Sequence, residues 1–115
     1  MNLNDYQNDA RKTAVWPTWE HMAFGLLEEA GEIAGICKRY HRADEEYDSI
    51  DENHDSDLSE FAKDRLKAEL GDVLWYAAML ADVLGFTLEE VAKGNLAKLQ
   101  RRKAKDMIHG SGDDR

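Results

Sequence analysis

The chain has 115 residues, enough for one hydrophobic core and too few for two. With 43% hydrophobic and 34% charged residues it reads as globular rather than disordered. Its net charge of −9 disfavours non-specific binding to nucleic acid polymers or anionic membranes, which need a positive face. An anionic small molecule is compatible with this balance only if divalent cations stand between it and the acids. The single cysteine excludes an internal disulfide framework, and no apolar run nears the roughly 20 residues of a bilayer span. Residues 1–15 are polar and mixed in charge and do not read as an export signal, so the cytoplasm is the expected location.

One proline and apolar residues recurring at helical spacing predict an all-α fold, with one domain over residues 1–103. A short first helix covers about residues 3–14 and is broken by Trp16-Pro17. Thr18 is the expected N-cap of a second helix running to about Tyr40. Residues 41–59 are crowded with acids, including Asp44, Glu45, Asp48 and Asp55, and read as a solvated loop inserted between helices. Asp51–Asp57 begins like a calcium loop, but Ser56 and Ala62 stand where such a loop needs glycine and glutamate, so calcium is rejected. Asp57-Leu58-Ser59-Glu60 has capping-box character and opens a third helix that stops at Gly85. Thr87-Leu88-Glu89-Glu90 is a clearer box, starting a fourth helix to about Lys103, and residues 104–115 are read as a fraying tail. Between Leu70 and Leu84 the third helix is apolar almost all round. Such a helix needs cover on several sides, which predicts a homodimer or homotetramer with Trp75 or Met79 near the contact.

Two similar phrases stand inside the apolar helices, Glu29-Ala30-Gly31-Glu32 and Glu69-Leu70-Gly71-Asp72. Acids three apart share a helix face, yet among 24 acids roughly five such pairs arise by chance, so position must decide. At about 100° per residue, Glu29 falls within the stripe of Met22, Leu26, Ile33, Ile36 and Tyr40. Glu69 falls likewise among Leu66, Val73, Tyr76 and Leu80, and Glu32 and Asp72 sit at the edge of each stripe. A glycine inside a helix costs about 1 kcal/mol relative to alanine, and close helix approach is the simplest reason for Gly31 and Gly71. Four carboxylates placed alike would repel one another without a cation. The alternative puts them at the rim, partnered by lysine or arginine; bound metal accounts better for their matched placement. Hard oxygen donors suit Mg²⁺, with Mn²⁺ as substitute. Glu32 and Asp72 occupy the positions where a di-iron site wants histidine, and the four histidines lack zinc spacing.

The fourth helix carries Asn95, Lys98 and Arg102 on one stripe, with Asn95 beside Leu88 and Leu99. An asparagine on the buried face flanked by two positive tips suits a phosphate-bearing ligand; a solvated basic end favouring the helix dipole is the other reading. Trp16 and Trp19 are expected to cover core rather than stack on a base, and Cys37 is expected to be inert core.

Together these residues resemble the MazG-like all-α nucleoside triphosphate pyrophosphohydrolases. The resemblance rests on Glu28-Glu29-Ala30-Gly31-Glu32, Glu69-Leu70-Gly71-Asp72 and its continuation Val73-Leu74-Trp75-Tyr76, Tyr6-Gln7, and Asn95-Leu96-Ala97-Lys98-Leu99 with Arg102. It spans nearly all of residues 3–103; the acidic segment between the two motifs is longer than the family's usual spacing. The resemblance implies a four-helix-bundle-type fold completed by homo-oligomerisation. It implies Glu29, Glu32, Glu69 and Asp72 as Mg²⁺ ligands, and Glu28, about 100° away from Glu29, takes a secondary catalytic role, either as a partner that supports the ligands or in orienting water. It implies Asn95, Lys98 and Arg102 on the phosphates of a nucleoside triphosphate that is split into monophosphate and pyrophosphate, in a nucleotide-pool or house-cleaning role. The alternative is a non-catalytic helical module that binds nucleotides or another protein.

Overall fold

The computed structural model describes residues 1–42 and 58–105. They form four helices, α1 (Leu3–Arg11), α2 (Trp19–His41), α3 (Glu60–Val83) and α4 (Leu88–Ala104), and no strand. Residues 43–57 of the predicted 41–59 insertion, with the rejected calcium loop at Asp51–Asp57, and residues 106–115 of the predicted 104–115 tail lie outside the described residues; residue 41 belongs to α2.

Local chemistry starts and stops each helix. Asn2 caps α1 and Asp5 closes the box. Thr18 caps α2 by accepting from the His21 amide at 3.2 Å, as its sequence predicts. In α3 the N-cap is Ser59, which accepts from Ala62 at 3.1 Å. Thr87 and Glu90 form the predicted reciprocal box of α4, with bonds of 3.1 and 2.7 Å. Between α3 and α4, Gly85 takes φ of 83°, a left-handed conformation that costs a side-chain-bearing residue energy. The Phe86 amide then reaches the Ala81 carbonyl and the Gly85 amide that of Asp82, satisfying two carbonyls at the helix end. First-helix residues beyond Arg11 fall outside α1, which is shorter than the predicted span.

The centre of the fold is an antiparallel seam between α2 and α3. At one end Met22 packs with Ala78 and Met79, and Tyr76 lies against them. At the other, Ile36 packs on Ala62 with Tyr40 and Leu66 alongside. Gly25 permits the close approach at the first end, because a Cβ there would stand 2.1 Å from Cε1 of Tyr76. The predicted close approach at Gly31 and Gly71 is not what the chain shows: a Cβ at either meets open space. Their phrases face the seam through the acids, and the glycines point away from it.

Helix α1 covers the back of α3. Gln7, 3% exposed, donates to the carbonyls of Ala78 and Phe86 at 3.3 and 2.9 Å and accepts from the Leu88 amide at 2.9 Å. Arg11 pairs with Asp82, and the Trp75 indole donates to Thr13 at 2.9 Å. This cover corrects the predicted subunit contact. Met79 is 1% exposed within its own chain, and Trp75 is half-buried beneath α1. The large apolar side chains that α3 leaves open are Phe61, Leu70 and Leu74. Two further expectations fail for the same reason, a core smaller than the apolar content suggests. Trp16 and Trp19 are exposed rather than covering core, and Cys37 is exposed rather than buried. Helix α4 turns away from α3 by 101° and touches α1 and α3 but not α2.

No single helix among the described residues is long and apolar enough to cross a membrane. Gly25→Ala is expected to cost about 1–3 kcal/mol by forcing Tyr76 from its place, lowering the melting temperature by several degrees. Gly31→Ala, which meets no neighbour in the chain, is expected to leave the melting temperature unchanged or raised. Thermal denaturation of both variants followed by circular dichroism measures the contrast.

Candidate metal centre

Between the two apolar ends of the seam the packing layer is made of carboxylates. Seven residues, two helical turns, separate Met22 from Glu29 and Glu29 from Ile36 on α2; the same step separates Ala62, Glu69 and Tyr76 on α3. Running antiparallel, the two series set Glu29 opposite Glu69, and Asp72 stands one turn further along α3. Oxygens of Glu29, Glu69 and Asp72 all lie within 4.8 Å of one another. Glu29 and Glu69 are half-buried and Asp72 is exposed at the edge.

The electrostatics follow from that crowding. Burial pushes the pKa of Glu29 above the usual glutamate value, and the charges of Asp72, Glu69 and Glu28 push it further the same way. The Tyr6 hydroxyl is raised too, by burial and then by the charge of Asp72, which brings α1 into the neighbourhood of the acids. One turn before Glu69, Arg65 places Nη2 at 3.5 Å from its Oε1. That ion pair is the rim partnership weighed against metal for Glu69, and it leaves Glu29 and Asp72 beside each other.

The remaining predicted site residues are spread more widely. Glu32 is exposed and outside the three-carboxylate group, and Glu28 is exposed while adding its charge to Glu29. On α4, Asn95 is exposed rather than on a buried face, Lys98 is half-buried, and Arg102 is 5% exposed rather than a solvated tip. With no contact between α4 and α2, this stripe stands apart from the helix that carries Glu28, Glu29 and Glu32. Arg65 was not singled out in the sequence, although its i, i+4 relation to Glu69 is the readable signal of such a pair.

Three half-buried or edge carboxylates with converging oxygens fit a hard divalent cation, which needs oxygen donors and relieves their repulsion. Glu29 holds its proton more tightly than an ordinary glutamate, first through burial and then through the charges of Asp72, Glu69 and Glu28. A helical hairpin closed over an acidic cluster defines the class: an all-α protein with a candidate divalent-metal centre in its central layer.

Residues 18–106 match the MazG nucleotide pyrophosphohydrolase domain, and the chain belongs to that family. Its all-α, four-helix architecture agrees with the assignment. The family hydrolyses nucleotides and is generally dependent on divalent metal. The chain is 38% identical to the Gene 37 protein of Mycobacterium phage L5 over 124 aligned positions that cover the whole of both chains. It is 39% identical to the uncharacterized protein YvdC of Bacillus subtilis (strain 168) over 77 positions, covering 67% of this chain and 68% of that one. No solved structure matches the chain.

The pH dependence of the centre has a definite sign. Glu29 binds its proton more tightly when folded, so its ionisation works against folding as pH rises above 4.5, and proton and cation compete for the same carboxylate. Asp82 behaves oppositely: held low by Arg11, it adds stability above 3.8 that is lost as pH falls through its depressed folded value. Affinity for Mn²⁺, followed by calorimetry, is therefore expected to weaken with acidification, with a midpoint above 4.5. Glu29→Gln is expected to raise the metal-free melting temperature and to abolish the rise that Mn²⁺ causes, a rise worth about 2.7 kcal/mol at a hundredfold excess over Kd.

Proposed function

We propose that this chain hydrolyses nucleoside triphosphates, ribo- or deoxyribo-, to the monophosphate and pyrophosphate with Mg²⁺ as cofactor and Mn²⁺ as substitute. The observation that carries the reading is the carboxylate layer of Glu29, Glu69 and Asp72 inside an otherwise apolar seam. Evolutionary membership supports the hydrolase class, and the donor set supports the metal.

When bound, a divalent ion supplies a water of lowered pKa and neutralises charge on the phosphate oxygens. Glu29, Glu69 and Asp72 would hold it, and Glu32, exposed at the stripe's edge and outside that group of three, would be the fourth ligand. Glu28, exposed beside them, accepts a hydrogen bond from the attacking water and orients it. Water oxygen bonds to phosphorus while the bridging bond between the first phosphate and the terminal pair breaks; pyrophosphate leaves, and the water's proton passes by way of Glu28 to solvent. Arg65 exchanges its contact with Glu69 for a phosphate oxygen once that carboxylate is engaged, supplying positive charge that the acids lack. Asn95 and Lys98 are the further phosphate contacts, with Arg102, 5% exposed, reaching a phosphate only if α4 shifts to uncover it.

The same reading includes self-association. Phe24 and Leu27 of α2 and Leu70 and Leu74 of α3 are between 41% and 74% exposed. A groove of about 530 Å³ runs along Lys67, Leu70, Gly71, Val73, Leu74 and Ala77. Apolar side chains in such numbers favour burial against a second copy, and the open sides of Gly31 and Gly71 leave room for it.

A purified sample supplied with Mg²⁺ and a panel of ribo- and deoxyribonucleoside triphosphates is expected to release equal amounts of monophosphate and pyrophosphate. Excess chelator is expected to stop release. Glu69→Gln and Asp72→Asn are each expected to lower kcat/KM at least about 100-fold, and Arg65→Ala about 10-fold. Release from no member of the panel, together with no effect of Mn²⁺ on the melting temperature, would leave the acids as a polar stripe of an interaction module.

A further inference from the structure

The carboxylate layer carries more negative charge than one divalent ion cancels. Glu28, Glu29, Glu32, Glu69 and Asp72 all lie on the middle turns of α2 and α3. A phosphate chain brought there meets that excess, and positive side chains within the same reach decide whether it stays. Lys63 is turned to Glu60, Arg11 to Asp82, Lys12 to Asp9 and Lys93 to Glu89, acids with no part in the centre. Arg65 is turned to Glu69, which is a member of it.

That contact is suited to exchange. Nη2 of Arg65 stands 3.5 Å from Oε1 of Glu69, longer than the roughly 2.7–2.9 Å of a charge-assisted hydrogen bond. A cation four residues before its acid is also the weaker order for an ion pair along a helix. The partners are unequally held. The Glu69 side chain is 12% exposed and fixed in the seam, whereas that of Arg65 is 52% exposed and able to swing. A guanidinium carries one charge, so Arg65 cannot fully neutralise a carboxylate and a phosphate together. It also repels a cation that shares Glu69, by the same Coulomb law that draws it to the acid.

We propose that Arg65 couples the two ligands of the centre: Glu69 holds it in the unliganded protein, and a phosphate chain holds it in the loaded one. Metal and polyphosphate therefore each bind more tightly in the other's company, and by linkage the gain is the same in either order. The inference rests on the pyrophosphohydrolase reading above and deepens it, giving Arg65 opposite effects on the two ligands. Against a metal alone Arg65 is a competitor; with a phosphate chain present it is a binding residue.

Calorimetry on the full chain separates these effects, with Mn²⁺ alone and then with the Mn²⁺ complex of methylenediphosphonate, a non-hydrolysable relative of pyrophosphate. Arg65→Gln is expected to tighten the binding of Mn²⁺ alone about two- to fivefold, the range of an exposed ion pair. The same variant is expected to weaken binding of the diphosphonate complex about tenfold. Arg65→Lys, which keeps the charge and loses the planar fork, is expected to fall between wild type and Arg65→Gln in both titrations. A role confined to holding the helix together moves both affinities the same way, and that result overturns the proposal. Affinities that do not change in either variant overturn it too, as does wild-type protein that takes Mn²⁺ no more tightly with the diphosphonate present. Wild-type protein that neither binds Mn²⁺ nor hydrolyses any nucleoside triphosphate strikes the function itself, a failure told apart because it precedes any comparison of variants.

Discussion

The pairing of α2 with α3 is the constraint from which the rest follows, because it decides what the middle of the protein is made of. Two helices running antiparallel at seven-residue intervals would ordinarily place apolar layers throughout. Here the outer layers are apolar, Met22 with Tyr76 and Ile36 with Ala62, and the layer between them is Glu29 against Glu69. Burial of the two ends holds the acids together against their own repulsion. A carboxylate trio on a mobile surface would simply spread; clamped between packed layers it stays convergent, at the cost visible in the raised pKa of Glu29. Stability is thereby exchanged for a site, as is usual where charged groups are held in a packed layer.

A second constraint places the remaining elements. One buried amide, Gln7, bonds the carbonyl of Ala78, the carbonyl of Phe86 and the amide of Leu88, so α1, the end of α3, the Gly85 turn and the start of α4 are tied at one point. Both ends of the amide are satisfied, which matters because a buried amide left with an open partner costs about 1–3 kcal/mol. The knot also fixes the direction in which α4 leaves. Arg11 with Asp82 and Trp75 with Thr13 flank it on the α1 side, and Gly85 supplies the one backbone conformation that lets the chain reverse there. The same knot holds α1 over the back of α3, and the charge of Asp72 acts on the Tyr6 hydroxyl of that helix.

Much of this architecture is legible in the residues, and the exceptions share a cause. Thr18 and the Thr87–Glu90 box mark helix starts because capping is local chemistry, set by a hydroxyl and an amide three residues apart. Helical angles also place Glu29 and Glu69 on the seam, since the periodicity of a buried stripe belongs to the helix alone. What a single helix cannot reveal is which of its apolar residues find a neighbour. Met79 is covered by α1 while Leu70 and Leu74 are not, and Trp16, Trp19 and Cys37 have apolar character without apolar surroundings. Glycine shows the same limit: Gly25 is the close contact, yet nothing in its local sequence separates it from Gly31 and Gly71. Arg65 is a milder case, a pairing at ordinary helical spacing that the neighbouring acids overshadow.

Composition and geometry then bear on each other. A chain of 43% hydrophobic residues whose fully buried large side chains, among the described residues, are Met22, Ile36 and Met79 has apolar surface left over. Part of that surplus, at Phe24, Leu27, Leu70, Leu74, Leu96 and Leu99, lies on α2, α3 and α4, the elements that bear the acids and the bases. Covering it would lower the local dielectric around the acidic layer and strengthen its attraction for any positive charge placed there. In a lone chain the same acids face water on their open side, where Asp72 is exposed and screening is strong. The uncovered apolar surface and the unneutralised acids are thus features of the same two helices, with exposed Leu70 standing in the chain between Glu69 and Asp72.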